Sequence, residues 1–460
     1  MIALTLAEIA EIVGGEVVDA DPLLRVTGAA FLDSREVVDG GLFVAVAGGH
    51  VDGHDYAEAS VAAGAAAVLA SRATGAPSIV VADAQQALQQ LAHEVLERLR
   101  ADLDVIAVTG SAGKTSVKDL MAVVLGDHAP TVATHGSFNN EWGMPLTVLR
   151  ATVETRHLVL EMGARGIGHI ADLCRIARPD VSVVLNVGSA HVGQFGGKEA
   201  IARAKGELVE ALPAEGRAVL NADDPLVAAM AARTQAEVLT FGTSSDSDLR
   251  VGNIELDELG RPSFELVYAG ERAGVHLPLS GAHQALNAAA CAASAVAVGV
   301  PLAQIAASLA RVQQISRWRM ELTELGGGRL LINDAYNANP ESMAAAIDAL
   351  VGIARSRGGR AIAVLGEMRE LGDDSERAHA DLGRLCAAHG VAHLLGVGEA
   401  MQAAVSAAEP TAAATSLPDR AAALAWLRTH LRDDDVVLLK ASRAARLELL
   451  AQALTGEEGL

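Results

Sequence analysis

The sequence predicts an α/β protein of three domains built on mostly parallel sheets. At 460 residues the chain exceeds one ordinary compact core, and its length corresponds to about three domains. Short apolar runs bounded by turn residues alternate with helical segments, which is typical of buried parallel strands. With 51% apolar and 20% charged residues, and 45 Gly against 13 Pro, the composition excludes collagen, a coiled coil and wholesale disorder.

Residues 1–103 form the first predicted domain, a small N-terminal α/β unit. A helical pattern in L-A-E-I-A-E-I-V precedes strand patterns in G-L-F-V-A-V-A-G and S-I-V-V-A-D. A predicted helix from about Ala84 to Arg100 closes this unit.

Residues 104–315 form the second predicted domain, a largely parallel sheet. Its strand patterns are V-I-A-V-T, H-L-V-L-E-M, V-S-V-V-L-N, R-A-V-L-N-A-D-D and E-V-L-T-F. The stretch from Ala273 to Ala310 has no Asp, Glu, Lys or Arg, but it is mostly Ala and is interrupted by polar residues and Pro301. We interpret that stretch as a buried helix and not as a membrane span.

Residues 316–460 form the third predicted domain, a Rossmann-like doubly wound unit. The strand patterns L-L-I-N-D, A-I-A-V-L-G, H-L-L-G-V-G and V-V-L-L-K alternate there with Ala-rich helical stretches. The boundary between the second and third domains falls near Arg311 to Met320, where one series of elements ends and the next begins.

Charge and cysteine content restrict the partners and the compartment. The net charge of −21 gives no basic field for nucleic acid or an anionic membrane, so an anionic substrate needs local cations. Three distant cysteines form neither a disulfide framework nor a paired metal motif, which indicates a reducing compartment. The N-terminus carries acidic residues and lacks the pattern of a signal peptide, so we expect a cytoplasmic protein without membrane insertion.

A glycine turn between a buried strand and a helix is the strongest local signal. In V-I-A-V-T-G-S-A-G-K-T-S-V-K-D-L, Gly110 and Gly113 allow backbone amides to approach an oxyanion at a helix N-terminus. Lys114 adds a charge, and the Thr115 hydroxyl is placed to coordinate Mg²⁺. Two residues separate the glycines where the common P-loop has four, so a plain glycine-rich turn with surface Lys and Thr stays an alternative.

The turn and a series of further motifs resemble the Mur ligases, ATP-dependent amide-forming enzymes of cell-wall synthesis. The match of T-G-x-x-G-K-T covers Thr109 to Thr115, and other matching segments follow in family order through all three domains. In the first two domains these are D-S-R, D-G-H, F-N-N-E-W-G-M-P-L-T, L-E-M-G, N-V-G-S-A-H, A-K-G-E and G-A-H-Q-A-L-N.

The third domain resembles the family members that add D-alanyl-D-alanine. The segments concerned are N-D-A-Y-N-A-N-P-E-S-M and G-E-M-R-E-L-G, and the D-N-P-R motif of the diaminopimelate-adding members is missing. Ser316, Ala335 and Ala441 differ from the residues that are common at these positions in the family. These differences bear on the local geometry of the loops and not on the chemistry. A folylpolyglutamate synthase type of ligase, another Mur amino-acid-adding enzyme, a small-molecule kinase and a non-catalytic nucleotide-binding scaffold are the alternatives.

The resemblance implies an ATP-dependent ligase that joins the carboxylate of UDP-N-acetylmuramoyl-tripeptide to D-alanyl-D-alanine through an acyl phosphate, with two Mg²⁺ ions. On the sequence alone, Glu161 at a strand end is as readily a solvated acid. His191 is more readily an ordinary loop histidine, and Lys205 is more readily a solvated lysine on a helix. The family makes Lys114, Glu161, His191 and Lys205 catalytic, with Lys205 carbamylated. It makes Thr115, Glu161, His191 and Lys205 the metal ligands.

The remaining implied roles concern the nucleotide and the peptide substrates. The nucleotide-binding residues are Thr109, Gly110, Ser111, Ala112, Gly113, Lys114, Thr115, Ser116, Asn287, Arg317, Asp334 and Tyr336. The substrate-binding residues are Ser34, Arg35, Asn139, Asn140 and Arg443, with the first two at the uridine diphosphate end. We expect a monomer, and because an acyl phosphate must be shielded from water, we expect hinge closure near the second boundary.

Overall fold

The computed structural model contains three large sheets, which follow one another in chain order, and a separate two-stranded sheet. It describes residues 1–49, 51–188, 195–313, 316–409 and 412–456. The mixed α/β architecture with several parallel sheets confirms the predicted fold class.

The first sheet has five strands in the order β2-β7-β6-β5-β4, and β2 runs antiparallel to the parallel remainder. Strands β1 and β3 form a separate antiparallel pair. The strands are β1 Leu4–Thr5, β2 Glu16–Val18, β3 Arg25–Val26, β4 Ala30–Phe31, β5 Leu42–Val44, β6 Ala67–Ala70 and β7 Ser78–Val80. The helices are α1 Leu6–Val13, α2 Ala57–Ala62 and α3 Ala84–Leu99.

Helix α3 confirms the predicted closing helix and also joins the first sheet to the second. The Asp83 side chain caps its N-terminus by accepting from the Gln85 and Gln86 amides. Buried residues of α3, including Leu88 and Leu91, belong to an apolar cluster that extends from the first sheet into the second domain. The first domain therefore shares a core with the domain that follows it.

The second sheet has nine strands in the order β16-β15-β14-β13-β12-β11-β8-β10-β9. It is parallel from β9 to β14 and ends in an antiparallel hairpin edge. The strands are β8 Asp104–Thr109, β9 Thr131–Ala133, β10 His157–Glu161, β11 Val181–Val184, β12 Arg217–Asn221, β13 Glu237–Gly242, β14 Leu249–Leu256, β15 Pro262–Tyr268 and β16 Glu271–His276. The helices are α4 Lys114–Gly126, α5 Gly143–Val148, α6 His169–Ile176, α7 Lys198–Glu210, α8 Pro225–Ala228, α9 His283–Ala297 and α10 Leu302–Leu309.

The charge-poor stretch from Ala273 to Ala310 differs from the single helix that we expected. It contains the end of β16 and two helices, α9 and α10, because Gly299 adopts φ +87° and Pro301 cannot continue a helix. Its helices pack on the second sheet in one apolar cluster. Within the described residues, no helix combines the length and apolar character needed to cross a membrane.

The third sheet has six strands in the order β17-β18-β22-β19-β20-β21, all parallel except β17. The strands are β17 Glu321–Gly326, β18 Arg329–Asn333, β19 Ala361–Gly366, β20 His393–Val397, β21 Ala413–Leu417 and β22 Val436–Lys440. The helices are α11 Pro340–Arg357, α12 Ser375–His389, α13 Gln402–Ala408, α14 Arg420–His430 and α15 Glu448–Thr455. Apolar clusters cover both faces, as a doubly wound sheet requires.

Candidate active site

The glycine turn follows β8, which lies inside the parallel part of the second sheet. Strand β8 is buried from Val105 to Thr109, and α4 begins directly after the turn at Lys114. Gly113 adopts φ +82°, and a Cβ there would lie 2.8 Å from Oδ1 of Asn287. Among the described residues, no side chain caps α4, so its first amides face the turn without an intrahelical acceptor, as an anion site needs.

Asn186, which follows β11, braces the turn from the side. Its backbone oxygen accepts from the Ser111 amide at 3.1 Å, and its Oδ1 accepts from the Ala112 amide at 2.9 Å. Its Nδ2 donates to the Ala112 oxygen at 3.1 Å. Because these two amides are already bonded, the amides at the start of α4 are those left for a phosphate. Sequence reasoning missed this residue, although N-V-G-S-A-H contains it.

Lys114 lies half-buried over the turn. Its Nζ donates to the Gly110 oxygen at 2.6 Å. Burial lowers the pKa of Lys114, the nearby Glu161 carboxylate opposes that shift, and Arg319 adds to it. The ammonium is thus desolvated beside the turn, where a charge acts strongly on an anionic ligand.

Glu161 lies at the centre of a group of hydrogen-bonded polar side chains next to the glycine turn. It ends β10, is 1% exposed, and its Oε2 accepts from Oγ of Thr115 at 2.8 Å. Its Oε1 accepts from Nδ2 of Asn139 at 2.8 Å, and its amide donates to Oγ of Thr134 at 3.0 Å. Hard oxygen donors in contact beside the glycine turn fit Mg²⁺, which keeps several water ligands. Among the described residues, no group of three His, Cys, Asp or Glu side chains suited to a metal is present.

Lys205, on α7, is 6% exposed and lines a cavity that Lys114 and Glu161 also line. Burial, assisted by the Lys114 charge, holds the pKa of Lys205 well below its usual range. Glu207 holds α7 in place, because its carboxylate accepts from the amides of Gly168 and Ala171 at 2.6 and 3.0 Å. The fourth predicted metal ligand, His191, lies outside the described residues.

Two parts of the third domain lie close to the glycine turn. One is the segment that links it to the second domain, and the other is the set of residues at the ends of its strands. Nη2 of Arg319 donates to Oγ of Thr115 at 2.9 Å, and its guanidinium lies 4.2 Å from the ring centre of Tyr336. The Tyr336 hydroxyl contacts the Ser137 hydroxyl across the domains. Asp334 follows β18 and pairs with Nζ of Lys440, the last residue of β22, at 2.5 Å.

One cavity of about 650 Å³ collects these groups between the second and third sheets. Lysine and arginine from both domains line it, whereas the whole chain carries a net charge of −21. The local cations that an anionic substrate would need are therefore present beside the glycine turn.

Comparison with known proteins agrees with this architecture in every domain. The Mur ligase family catalytic domain matches residues 30–106, the Mur ligase middle domain residues 108–295, and the Mur ligase glutamate ligase domain residues 318–443. This chain belongs to the Mur ligase family.

Relatives and solved structures match this Mur ligase over nearly its whole length. UDP-N-acetylmuramoyl-tripeptide--D-alanyl-D-alanine ligase from Mycobacterium tuberculosis is 46% identical over 503 aligned residues, covering 100% of this chain and 99% of the relative. The structure of MurF from Acinetobacter baumannii is 32% identical with a TM-score of 0.87, covering 99% of both chains. MurF ligase from Thermotoga maritima in complex with ADP is 32% identical with a TM-score of 0.79, covering 94% of this chain and 98% of that one.

The cavity of this Mur ligase brings together most of the predicted site residues. The lining includes the turn from Gly110 to Ser116 together with Asn139, Asn140, Glu161, Lys205, Asn287, Asp334, Tyr336 and Arg443. The side-chain oxygen of Asn140 accepts from the amides of Trp142 and Gly143, so it also fixes the start of α5. Asn287 donates to the Gln284 side chain at 3.0 Å.

Several predicted residues lie elsewhere, and Arg319 and Lys440 line the cavity although, like Asn186, they were not predicted. Ser34 and Arg35 do not line the cavity, and Arg35 pairs with Asp33 on the surface of the first domain. The side chain of Arg317 is exposed and lies outside the cavity lining, whereas Arg319, two residues later, reaches the turn. Lys440 follows the apolar run of the predicted strand V-V-L-L-K, as Glu161 follows the apolar run in H-L-V-L-E-M, and this position was the available signal.

Proposed function

We propose that this Mur ligase joins the terminal carboxylate of UDP-N-acetylmuramoyl-tripeptide to the amine of D-alanyl-D-alanine, converting ATP to ADP and phosphate. The supporting observation is the cavity in which the glycine turn faces Arg319 and Lys440 of the third domain. The relatives that match the whole chain carry the name of this reaction, and one solved neighbour contains ADP.

The first step activates a carboxylate, which is otherwise a poor acylating agent in water. A carboxylate oxygen of the tripeptide attacks the γ-phosphorus of ATP, the bond from phosphorus to the bridging oxygen breaks, and ADP leaves. The product is an acyl phosphate. Lys114 and the first amides of α4 stabilise the charge from one side, and Arg319 from the other. In this assignment the whole turn from Thr109 to Ser116, with Asn287, Asp334 and Tyr336, holds the nucleotide.

Thr115 and Glu161 are the residues that would hold Mg²⁺, which supplies charge compensation for phosphate oxygens when it is bound. We assign two ions, with His191 as a further ligand by family likeness. The low pKa of Lys205 supports carbamylation, because only a neutral amine attacks CO₂. The amine nitrogen bonds to the carbon, a proton leaves, and the resulting carbamate offers oxygen donors where the free lysine would repel a cation.

In the second step the amine of D-alanyl-D-alanine attacks the acyl carbon. The bond from carbon to the phosphate oxygen breaks, phosphate leaves, and the new amide nitrogen loses a proton. We place the dipeptide on the third-domain side of the cavity near Arg443 and the peptide of the first substrate near Asn139 and Asn140. Ser34 and Arg35 would hold the uridine diphosphate end of the first substrate.

We retain domains of 1–103, 104–315 and 316–460, and we expect a cytoplasmic monomer.

Phosphate release under omission of single substrates tests the reaction. We expect release only with ATP, Mg²⁺, UDP-N-acetylmuramoyl-tripeptide and D-alanyl-D-alanine together. Lys114→Ala should reduce kcat by at least about 1,000-fold with the fold intact, because the phosphate charge loses its cation. Lys198→Ala removes an exposed lysine at the start of α7 and should retain full activity. Turnover with a folate acceptor, or without any amine, would contradict the proposed reaction.

A further inference from the structure

The position of Arg319 depends on an unusual backbone. Trp318 and Met320, on either side of it, adopt the left-handed conformation with φ of +60° and +53°. The left-handed conformation is sterically unfavourable for bulky residues, and they adopt it only where surrounding contacts hold them there. The contacts of residues 318–320 therefore decide whether the Arg319 guanidinium reaches Thr115.

Asp334 makes one of these contacts directly. Its Oδ1 accepts from the Met320 amide at 3.1 Å. The neighbouring chain adds another, because the Tyr336 amide donates to the Trp318 oxygen at 3.2 Å. The end of β18 thus binds the strained segment on both sides of Arg319.

Lys440 holds Asp334 from the opposite side. Its Nζ donates to Oδ2 of Asp334 at 2.5 Å and to the Asn337 oxygen at 2.9 Å. The exposed fractions of the two charged side chains are 3% for Lys440 and 13% for Asp334. Both oxygens of Asp334 are therefore engaged within the protein, one by the ammonium and one by the strained segment.

We propose that Lys440 is a positioning residue that acts through Asp334 to hold residues 318–320 in the left-handed backbone and so aims Arg319 at the phosphate-binding turn. Without the Lys440 ammonium, the carboxylate would lie in a cavity lined by other cations and could turn toward one of them. Met320 would then lose its acceptor, and the strained backbone would relax. This inference rests on the proposed function only for the choice of assay substrates.

Coupling between Lys440 and Arg319 provides the test. We measure kcat for phosphate release in the native enzyme, in Lys440→Met and Arg319→Ala, and in the double variant. Lys440→Met should lower kcat by about 30-fold, but by less than about 3-fold in the Arg319→Ala background, because the same interaction is already lost. Lys440→Arg keeps the charge and should retain kcat to within about 5-fold.

Arg360→Met is the matched control. Arg360 pairs with the buried Asp435 at 2.6 Å at the other end of the same sheet, away from the cavity. Loss of the ion pair between Arg360 and Asp435 should lower the melting temperature of the protein without changing kcat. If Lys440→Met does not fold, Lys440→Gln takes its place, because it removes the ammonium but keeps a polar group in the buried site, and we expect a smaller loss of kcat that again disappears in the Arg319→Ala background.

Two outcomes would overturn the inference. One is an equal loss of kcat in both backgrounds, which would mean that Lys440 acts independently of Arg319. The other is a Lys440→Arg variant as slow as Lys440→Met. If the native enzyme does not turn over these substrates, the proposed function fails on its own, and the same four proteins are compared by their affinity for Mg²⁺ and a non-hydrolysable ATP analogue.

Discussion

At the scale of single residues, Lys205 shows how burial of an ionisable side chain can oppose stability. Its pKa is far below the usual lysine value because the ammonium is buried near Lys114. Between that lowered pKa and the ordinary value of about 10.4, the unfolded chain binds more protons than the native chain. Stability should therefore rise with pH through this window, and burial of the charge should destabilise the fold below it.

Lys205→Met should stabilise the protein while abolishing turnover. Methionine fills the same space without a charge, so we expect the free energy of unfolding to rise by about 1–2 kcal/mol at pH 7. The gain should shrink as pH approaches 10, where the native lysine costs less. Urea unfolding in CO₂-free buffer at both pH values measures it. Lys198→Met, exposed on the same helix, should change little, and a destabilised Lys205→Met would contradict the argument.

The two arginines of S-R-W-R-M, Arg317 and Arg319, show which part of the site could not be predicted from the sequence. The resemblance assigned the nucleotide role to Arg317, but Arg319 is the residue that contacts Thr115. The difference arises from the left-handed backbone at Trp318 and Met320, which turns one side chain inward. Bulky residues carry no sequence signal for that conformation, because tertiary contacts impose it. Residues at strand ends, such as Glu161, were predictable because topology alone brings them to one edge.

At the scale of elements, the junction of β8 and α4 leaves no room for a side chain at Gly113. The glycine spacing predicted this strand, turn and helix, and the structure confirms all three. The division of the Ala-rich stretch into α9 and α10 was missed, although Gly299 and Pro301 signalled it. A uniformly apolar composition hid the boundary, because both helices are buried against the same sheet.

Gly113→Ala should abolish nucleotide binding with a small effect on folding. A Cβ at φ +82° would be strained and would lie 2.8 Å from the Asn287 side chain, which would shift the turn. We expect affinity for an ATP analogue to fall at least about 100-fold, as calorimetry would measure. Gly126→Ala, at the other end of α4 and with open space around its Cβ, is the control and should bind normally. Native affinity in Gly113→Ala would contradict this account of the turn.

At the scale of the whole molecule, polar contacts between described residues hold the third domain against the second domain near the glycine turn. They include Arg319 with Thr115, Tyr336 with Ser137, and Nδ2 of Asn339 with the Ser111 oxygen at 3.5 Å. Each such contact contributes only about 0.5–1.5 kcal/mol net. A bound triphosphate would add charge-assisted bonds to groups on both sides, so the ligand should favour the closed arrangement.

Small-angle X-ray scattering should record that shift. We expect the radius of gyration to fall when Mg²⁺, an ATP analogue and UDP-N-acetylmuramoyl-tripeptide are added, since the nucleotide bridges the second and third domains across one cavity. Lys114→Ala with the same ligands is the control and should keep the profile of the free protein, because it lacks the cation on the phosphates. Identical profiles of the native enzyme with and without ligands would show that the domains do not close on the nucleotide.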